Sequence, residues 1–368
     1  MVNVSPLLAP RGSCFPQKSL QNKFDEHVAG VGKMSKKQDY TFSVAPMMDW
    51  TDRHCRVFHR VLSQKALLWT EMVTADAVIR GDRARLIGFC DIERPLVLQL
   101  GGSDPEKLAE ASLVAAEMGY GEININCGCP SDRVKSGAFG ASLMRAPKTV
   151  AACVKRMRSV VDIPVTVKCR IAIDDDPPRE TLFGFVDEVA DAGGTIFTVH
   201  ARKAWLSGLS PKENRDVPPL DYDLVADLKA QRPDLKIILN GGITDLAACK
   251  THLETFDGVM LGRAAYQQPS ILGQVDQALF DSNANTVSPF EAVARYRPYI
   301  AEQLGEGWRL PSMTRHMLGL FNGMPGARLW RRVLSEKGPA PGAGLEVLDE
   351  ALDMVVSRCE AAAAVSAE

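Results

Sequence analysis

The stretch Pro164–Arg202, PVTVKCRIAIDDDPPRETLFGFVDEVADAGGTIFTVHAR, decides the fold. It opens on a short β-branched run, Pro164–Cys169, passes through an amphipathic segment at Glu180–Ala192, and closes on a second apolar run, Thr195–His200. A strand, a helix-length crossover and another strand predict parallel neighbours, since antiparallel strands are joined by tight turns. Both runs end in polar residues, Lys168-Cys169-Arg170 and His200-Ala201-Arg202.

The same unit recurs on either side. Strands are expected at Thr41–Pro46, Ala66–Met72, Pro95–Leu100, Glu122–Cys127, Lys236–Asn240 and Gly258–Gly262, with amphipathic segments at Pro105–Met118, Pro147–Val161 and Asp221–Gln231. Eight strand–helix units match a (β/α)8 barrel, whose usual length is about 250 residues. The main alternative, a doubly wound open sheet, usually places a GxGxxG turn after its first strand, and none follows Thr41–Pro46. Beyond the polar stretch Asp281–Ser288 the pattern changes, and 289–360 reads as helices broken by Gly and Pro. The expected fold class is therefore α/β, a TIM barrel with a C-terminal all-helical domain. Its divisions are a flexible N-terminal extension at 1–39, a catalytic barrel at 40–282 and a helical domain at 287–360. Met34 is a second candidate start within the extension.

The chain has 368 residues, 43 basic against 45 acidic, for a net charge of −2. That balance excludes a protein that grips nucleic acid by bulk positive charge, but not one with a local patch. Nine cysteines, an odd number with no CxxC pair, argue against a secreted disulfide framework and for a reducing, cytoplasmic setting. No apolar run reaches the roughly 18 residues of a membrane span. A monomer is expected.

Barrel enzymes place their chemistry where the strands end. Here those ends carry Pro46-Met47-Met48-Asp49, Glu71, Gln99, Asn124-Ile125-Asn126-Cys127, Lys168-Cys169-Arg170, His200-Ala201-Arg202, Asn240-Gly241-Gly242 and Gly262-Arg263. Glycines after strands seven and eight, with Arg263, suit a phosphate held by backbone N–H groups and charge-assisted hydrogen bonds, although ordinary glycine turns would look alike. Lys168 and His200 stand beside that position. A reduced flavin carries negative charge near N1 and O2, so a lysine there would tune it, and Gln99 could bond the ring edge. The plainer reading of Lys168 is a surface salt bridge, and of His200 alone a packed side chain.

The loop Asn126-Cys127-Gly128-Cys129-Pro130-Ser131-Asp132-Arg133 is the most distinctive. A cysteine between Gly and Pro is poorly placed for packing and well placed to present a thiol. Cys127 and Cys129 as metal ligands compete with this reading, but CxC without a second close pair is a poor zinc signature. His54, Cys55 and His59, on a helix after the first strand, are expected to pack there. No residue is assigned to a metal.

Six strings, APMMDWTDRHCR (Ala45–Arg56), NINCGCPSDRV (Asn124–Val134), VKCR (Val167–Arg170), TVHAR (Thr198–Arg202), LNGGI (Leu239–Ile243) and GVMLGRAAY (Gly258–Tyr266), resemble the tRNA-dihydrouridine synthase family. Two more, KAWLSGLSPKENRDVPPLDY (Lys203–Tyr222) and MLGLFNGMPGARLWRR (Met317–Arg332), resemble its A subfamily. The resemblance spans about residues 40–335. It implies an FMN-bearing barrel, a helical C-terminal domain, and NADPH-dependent reduction of uridine at positions 20 and 20a in the D-loop of tRNA. FMN contacts carried over by motif are Pro46, Met47, Met48, Gln99, Lys168, His200, Asn240, Gly241, Gly242, Gly262 and Arg263. The catalytic cysteine falls on Cys129, and tRNA contacts on Asn126, Lys212, Arg215, Arg328 and Arg331.

The chemistry agrees with that resemblance. Reducing the uracil C5–C6 bond needs a hydride at C6, expected from flavin N5, and a proton at C5. A thiol is mostly protonated at neutral pH, so Cys129 is expected to act as a general acid. The target base must leave its stack to meet the flavin. Between Arg295 and Lys337 stand eight basic and three acidic residues, with Tyr299, Trp308 and Trp330 interleaved. Such a run can track a phosphate backbone, or it can be a solvated helix face. The rival readings are an FMN oxidoreductase of a free pyrimidine, resembling dihydroorotate dehydrogenase, and a non-catalytic RNA-binding module.

Overall fold

The computed structural model describes residues 38–130 and 139–366. The candidate start at Met34, and Ser131-Asp132-Arg133 of the distinctive loop, lie outside the described residues. Two compact units emerge, residues 38–292 and the residues from Val293 onward, with the division falling inside the helix Pro289–Gly305.

The first unit is built on eight strands: β1 (Phe42–Val44), β2 (Leu68–Thr74), β3 (Leu96–Gly101), β4 (Glu122–Cys127), β5 (Val165–Arg170), β6 (Ile196–His200), β7 (Lys236–Asn240) and β8 (Gly258–Leu261). They pair in the order β1-β8-β7-β6-β5-β4-β3-β2, every ladder parallel. The last seam closes through a parallel bridge between Ser43 and Leu67, where Val44 N–H donates to Leu67 O and Leu67 N–H to Phe42 O, each at 3.0 Å. The sheet is thus a (β/α)8 barrel. An open doubly wound sheet would leave both edge strands without this bridge.

Each strand is followed by a helix: α1 (Arg53–Leu62), α2 (Ala75–Arg80), α3 (Pro105–Glu117), α4 (Pro147–Arg158), α5 (Pro178–Asp191), α6 (Tyr222–Gln231), α7 (Leu246–Leu253) and α8 (Arg263–Gln267). Their starts are written locally. Asp52, Asp104, Asp221 and Asp245 accept first-turn N–H groups as N-caps, and α3, α4 and α5 each carry proline in the first turn, where a missing N–H costs nothing.

The barrel interior is two-sided in chemistry. Tyr40, Leu67, Trp69, Val97, Ile238 and Met260 form one apolar cluster. On β4 the alternation Glu-Ile-Asn-Ile-Asn-Cys turns Glu122, Asn124 and Asn126 to the face opposite Ile123, Ile125 and Cys127, and all six are buried. The polar half of that alternation leads to the site.

The second unit is helical, with α9 (Pro289–Gly305), α10 (Ala327–Lys337) and α11 (Leu345–Ser366) as its longest elements. Trp330 is fully buried, donates Nε1–H to Met317 O at 3.0 Å and packs edge-on against Phe321. Two members of the basic run are committed inside the unit: Arg297 pairs with Asp349 at 2.8 Å and Lys337 with Glu350 at 2.6 Å. The run is therefore less positive than its sequence suggests, because acidic residues of α11 fold back on it.

No helix among the described residues is long and apolar enough to cross a membrane.

Candidate active site

Cys129 sits two residues beyond β4, half-buried, on a loop shaped by Asn126. The Asn126 carboxamide oxygen accepts N–H from Gly128 at 3.1 Å and from Cys129 at 2.9 Å, an Asx turn that bends the chain directly after the strand. From β5, Arg170 Nε donates to the Gly128 carbonyl at 3.2 Å. Cys127, in contrast, is fully buried, and burial pushes its thiol well above the ordinary range. Of the two loop cysteines, Cys127 is sealed in the core and Cys129 is half-buried.

Gln99 is buried on β3 and touches the same asparagine: its Oε1 accepts from Asn126 Nδ2 at 2.9 Å. Across the ring, Lys168 Nζ donates to Asn240 Oδ1 at 3.0 Å, and Asn240 Nδ2 donates to Met260 O at 2.8 Å. Among the described residues no carboxylate pairs with Lys168, whose hydrogen-bond partner is Asn240. Burial, with Arg170 as a neighbouring cation, pulls the Lys168 ammonium down to about 8. His200 is pushed well below its ordinary value, first by burial and then by Arg170, Lys168, Arg202 and Arg215. Its imidazole is therefore neutral, with one ring nitrogen to donate and one to accept.

Gly241 and Gly242 follow β7 with φ of +111° and +72°. A Cβ at Gly241 would stand 2.5 Å from His200 Cδ2, and one at Gly242 2.4 Å from a Leu220 methyl. Both positions need glycine for backbone angle and for space. Tyr222 Oη donates to the Gly241 carbonyl at 2.5 Å and sets the turn from α6. On the opposite seam, the Pro46-Met47-Met48 loop is closed by Thr51, whose hydroxyl accepts from Met47 N, and Trp50 stacks on Tyr266 at 4.3 Å. A Cβ at Gly262 would lie 3.8 Å from Met47 Sδ, so the loops after β1 and β8 meet.

Three arginines at strand ends hold the segment 203–221. Arg170 Nη1 donates to the carbonyls of Lys203 at 3.2 Å and Asn214 at 3.0 Å. Arg202 reaches the carbonyls of Asp216 and Pro218. Arg263 Nη2 bonds Asp216 Oδ1 at 2.6 Å and the Arg215 carbonyl at 3.3 Å. Asn214, fully buried, fastens the segment from within through Trp205 N and O. This places Lys212 and Arg215, both exposed, on a braced loop beside the strand ends. It also shows Arg263 committed in part to Asp216. Arg328 and Arg331 lie in the second unit, exposed and one turn apart on α10, where they line a surface cavity with Asn322, Gly323 and Arg358. Arg331 Nη1 donates to Asn322 Oδ1 at 2.5 Å.

Sequence reasoning gave no role to Arg170, Arg202, Asn214 or Tyr222. Each acts on a backbone carbonyl or amide of a loop distant in the chain, which no motif records. Arg263, Arg202 and Arg215 gather around Asp216, and Arg170 and Lys168 join Arg202 and Arg215 around His200. So many cations with so little negative charge suit an anion.

Residues 43–355 match the family described as dihydrouridine synthase. A tRNA-dihydrouridine(20/20a) synthase of Xanthomonas axonopodis pv. citri is 56% identical over 317 residues, covering 86% of this chain and 94% of the relative. One of the same name from Yersinia pestis is 56% identical over 315 residues, covering 85% of this chain and 91% of its own. Among solved structures, a morphinone reductase superposes with a TM-score of 0.47 at 13% identity, covering 69% of this chain and 88% of that one. On the extent and identity of the sequence matches, the chain belongs to the dihydrouridine synthase family.

Proposed function

We propose that this protein reduces uridine to 5,6-dihydrouridine in the D-loop of tRNA, at positions 20 and 20a. FMN is the bound cofactor, NADPH its reductant and Cys129 the general acid. The observation that carries this reading is the meeting of the Cys129 loop, Gln99, Lys168, His200 and the Gly241-Gly242 turn on one rim of the barrel. Relatives named tRNA-dihydrouridine(20/20a) synthase support the substrate and its positions.

The residues present fit a flavin mononucleotide. The cationic cluster and the two positive-φ glycines favour a phosphate, bound by backbone N–H groups and by whatever donor capacity of Arg263 Asp216 leaves over. Lys168, held by Asn240, stands ready for negative charge at the ring edge. Pro46, Met47 and Met48 would wall the ring, and Gly262 would leave room for it. When bound, the flavin supplies hydride from N5 to uracil C6.

The protein's own groups do the rest. Asn126 and Arg170 fix the loop from which Cys129 delivers its proton to C5. Lys212 and Arg215 on the braced segment, Asn126 at the loop, and Arg328 and Arg331 on α10 bind the RNA, the cations by backbone charge and shape. On this reading the catalytic domain is 40–282 and the RNA-facing helices are 287–360, with 1–39 an extension. The enzyme acts in the cytoplasm as a monomer.

Purified protein incubated with FMN, NADPH and unmodified tRNA should yield dihydrouridine at 20 and 20a when mapped position by position. Reduction of orotate or free uridine, with no change in tRNA, would replace this reading by that of a free-pyrimidine oxidoreductase.

A further inference from the structure

Asn126, which shapes the Cys129 loop, is itself held by an unbroken run of hydrogen bonds reaching deep into the barrel. Cys129 N–H donates to Asn126 Oδ1 at 2.9 Å, and Asn126 Nδ2 donates to Gln99 Oε1 at 2.9 Å. Gln99 Nε2 then donates to Asn124 Oδ1 at 3.0 Å, and Asn124 Nδ2 to Thr166 Oγ1 at 2.9 Å. Thr166 Oγ1 donates to Glu122 Oε1 at 2.7 Å, while Tyr40 fills the other carboxylate oxygen at 2.9 Å. Glu122, Asn124, Gln99 and Thr166 are all at most 2% exposed, so these bonds are sealed from bulk solvent.

Every donor in the run points the same way, and its two ends decide that sense. A backbone N–H can only donate, and at the inner end Glu122, its carboxyl pushed up to about 7 by burial, accepts from both Thr166 and Tyr40. A lone buried carboxamide can turn over and exchange its oxygen for its nitrogen. The three here cannot turn without setting donor against donor. One consequence is chemical. Gln99 spends one oxygen lone pair on Asn126 and one amide proton on Asn124, so its second amide proton is free to be donated to a neighbour.

We infer that Glu122 and Thr166 are positioning residues for the reaction. By closing this run at its inner end they hold Gln99 as a hydrogen-bond donor toward the cofactor edge, and they hold Asn126 beneath the loop that carries Cys129. The inference rests on the function proposed above for its flavin half, while its hold on the Cys129 loop needs neither cofactor nor RNA. A packing role would be met by any side chain of the right shape. This role needs the Thr166 hydroxyl.

The test compares Thr166→Val, nearly the same in shape, with Thr166→Ser, which keeps the hydroxyl. Alkylation of Cys129 by iodoacetamide is followed by peptide mass spectrometry in the full chain without cofactor or tRNA, with Cys359 as internal reference. Thr166→Val should speed Cys129 alkylation about tenfold, the scale of one lost hydrogen bond, and leave Cys359 unchanged. Thr166→Ser should match the unaltered protein. Glu122→Leu should behave as Thr166→Val does, and if it fails to fold the Thr166 pair decides alone. In the flavin-loaded protein, Thr166→Val should lower the midpoint potential, since a loosened donor stabilises the reduced ring less. It should also lower kcat at unchanged KM for tRNA. A folded Thr166→Val with unaltered Cys129 alkylation and potential overturns the inference. If alkylation responds as stated but the protein binds no flavin and reduces no uridine, the proposed function fails and the hold on the Cys129 loop stands.

Discussion

Arg170 Nε lies 3.2 Å from the carbonyl oxygen of Gly128, one residue before the Cys129 thiol. The same guanidinium grips Lys203 and Asn214 through Nη1, so one side chain at the end of β5 ties the Cys129 loop to the segment carrying Lys212 and Arg215. The side chain is 3% exposed, and its charge is buried because three carbonyl dipoles receive it.

Removing that clamp should loosen both loops together. Arg170→Met leaves three carbonyls without their donor and should cost about 2–4 kcal/mol of stability, read from urea unfolding. Turnover should fall at least tenfold. Arg170→Lys should recover only part of either, because an ammonium cannot reproduce the planar fork. Wild-type turnover in Arg170→Met would show that the loop holds its shape without the clamp.

The Lys168 ammonium, pulled down to about 8 by burial and by Arg170, should govern the alkaline side of the pH profile. It carries its charge below that value and loses it above, so kcat should decline as pH rises through 8. Lys168→Arg, charged throughout, should move this limb to higher pH. The linked stability effect has a definite sign. An unfolded lysine keeps its proton up to about 10.4, so between pH 8 and that value the unfolded chain binds more protons and stability rises with pH. Lys168→Met should remove that rise, as measured by unfolding at several pH values.

Cys129→Ala should keep bound flavin and normal melting while losing about 10²–10⁴-fold in dihydrouridine formation, the range of general acid catalysis. Cys127→Ala should lose stability instead, since that thiol is packed and not presented. Near-normal turnover by Cys129→Ala would reassign the proton.

On the proposed reading, Arg328→Ala and Arg331→Ala should each raise KM for tRNA severalfold and flatten its salt dependence, because each would remove about one phosphate contact and its released counterion. Flavin content should not change. Arg297→Ala should have little effect on the salt slope, since Asp349 already neutralises that guanidinium. Equal slopes for all three variants would mean that the basic run acts as one diffuse patch.

Much of the barrel was legible in the chain. The expected strands Glu122–Cys127 and Lys236–Asn240 coincide with β4 and β7: β4 alternates polar and apolar residues without interruption, and β7 is an apolar run, Ile237-Ile238-Leu239, bounded by Lys236 and Asn240. The strand expected at Ala66–Met72 is displaced, running Leu68–Thr74, where a register irregularity between Trp69 and Met72 carries the ladder further. That shift depends on how β2 meets β3, which no local pattern encodes. The helix starts were legible for the opposite reason: an aspartate cap or first-turn proline acts within its own turn.

Periodicity, spacing and motif therefore determined the eight parallel strands and the helical region after them. These features depend on interactions within a few residues, or on a repeat that recurs at every unit. Tertiary structure alone decided which residues act on one another. Arg170 serves two loops, Arg263 is shared with Asp216, two cations of the helical unit are already neutralised, and the polar face of β4 joins Glu122 to the Cys129 loop. A hydrogen bond's partner is set by distance and direction between groups far apart in the chain, and only the folding of each unit supplies those.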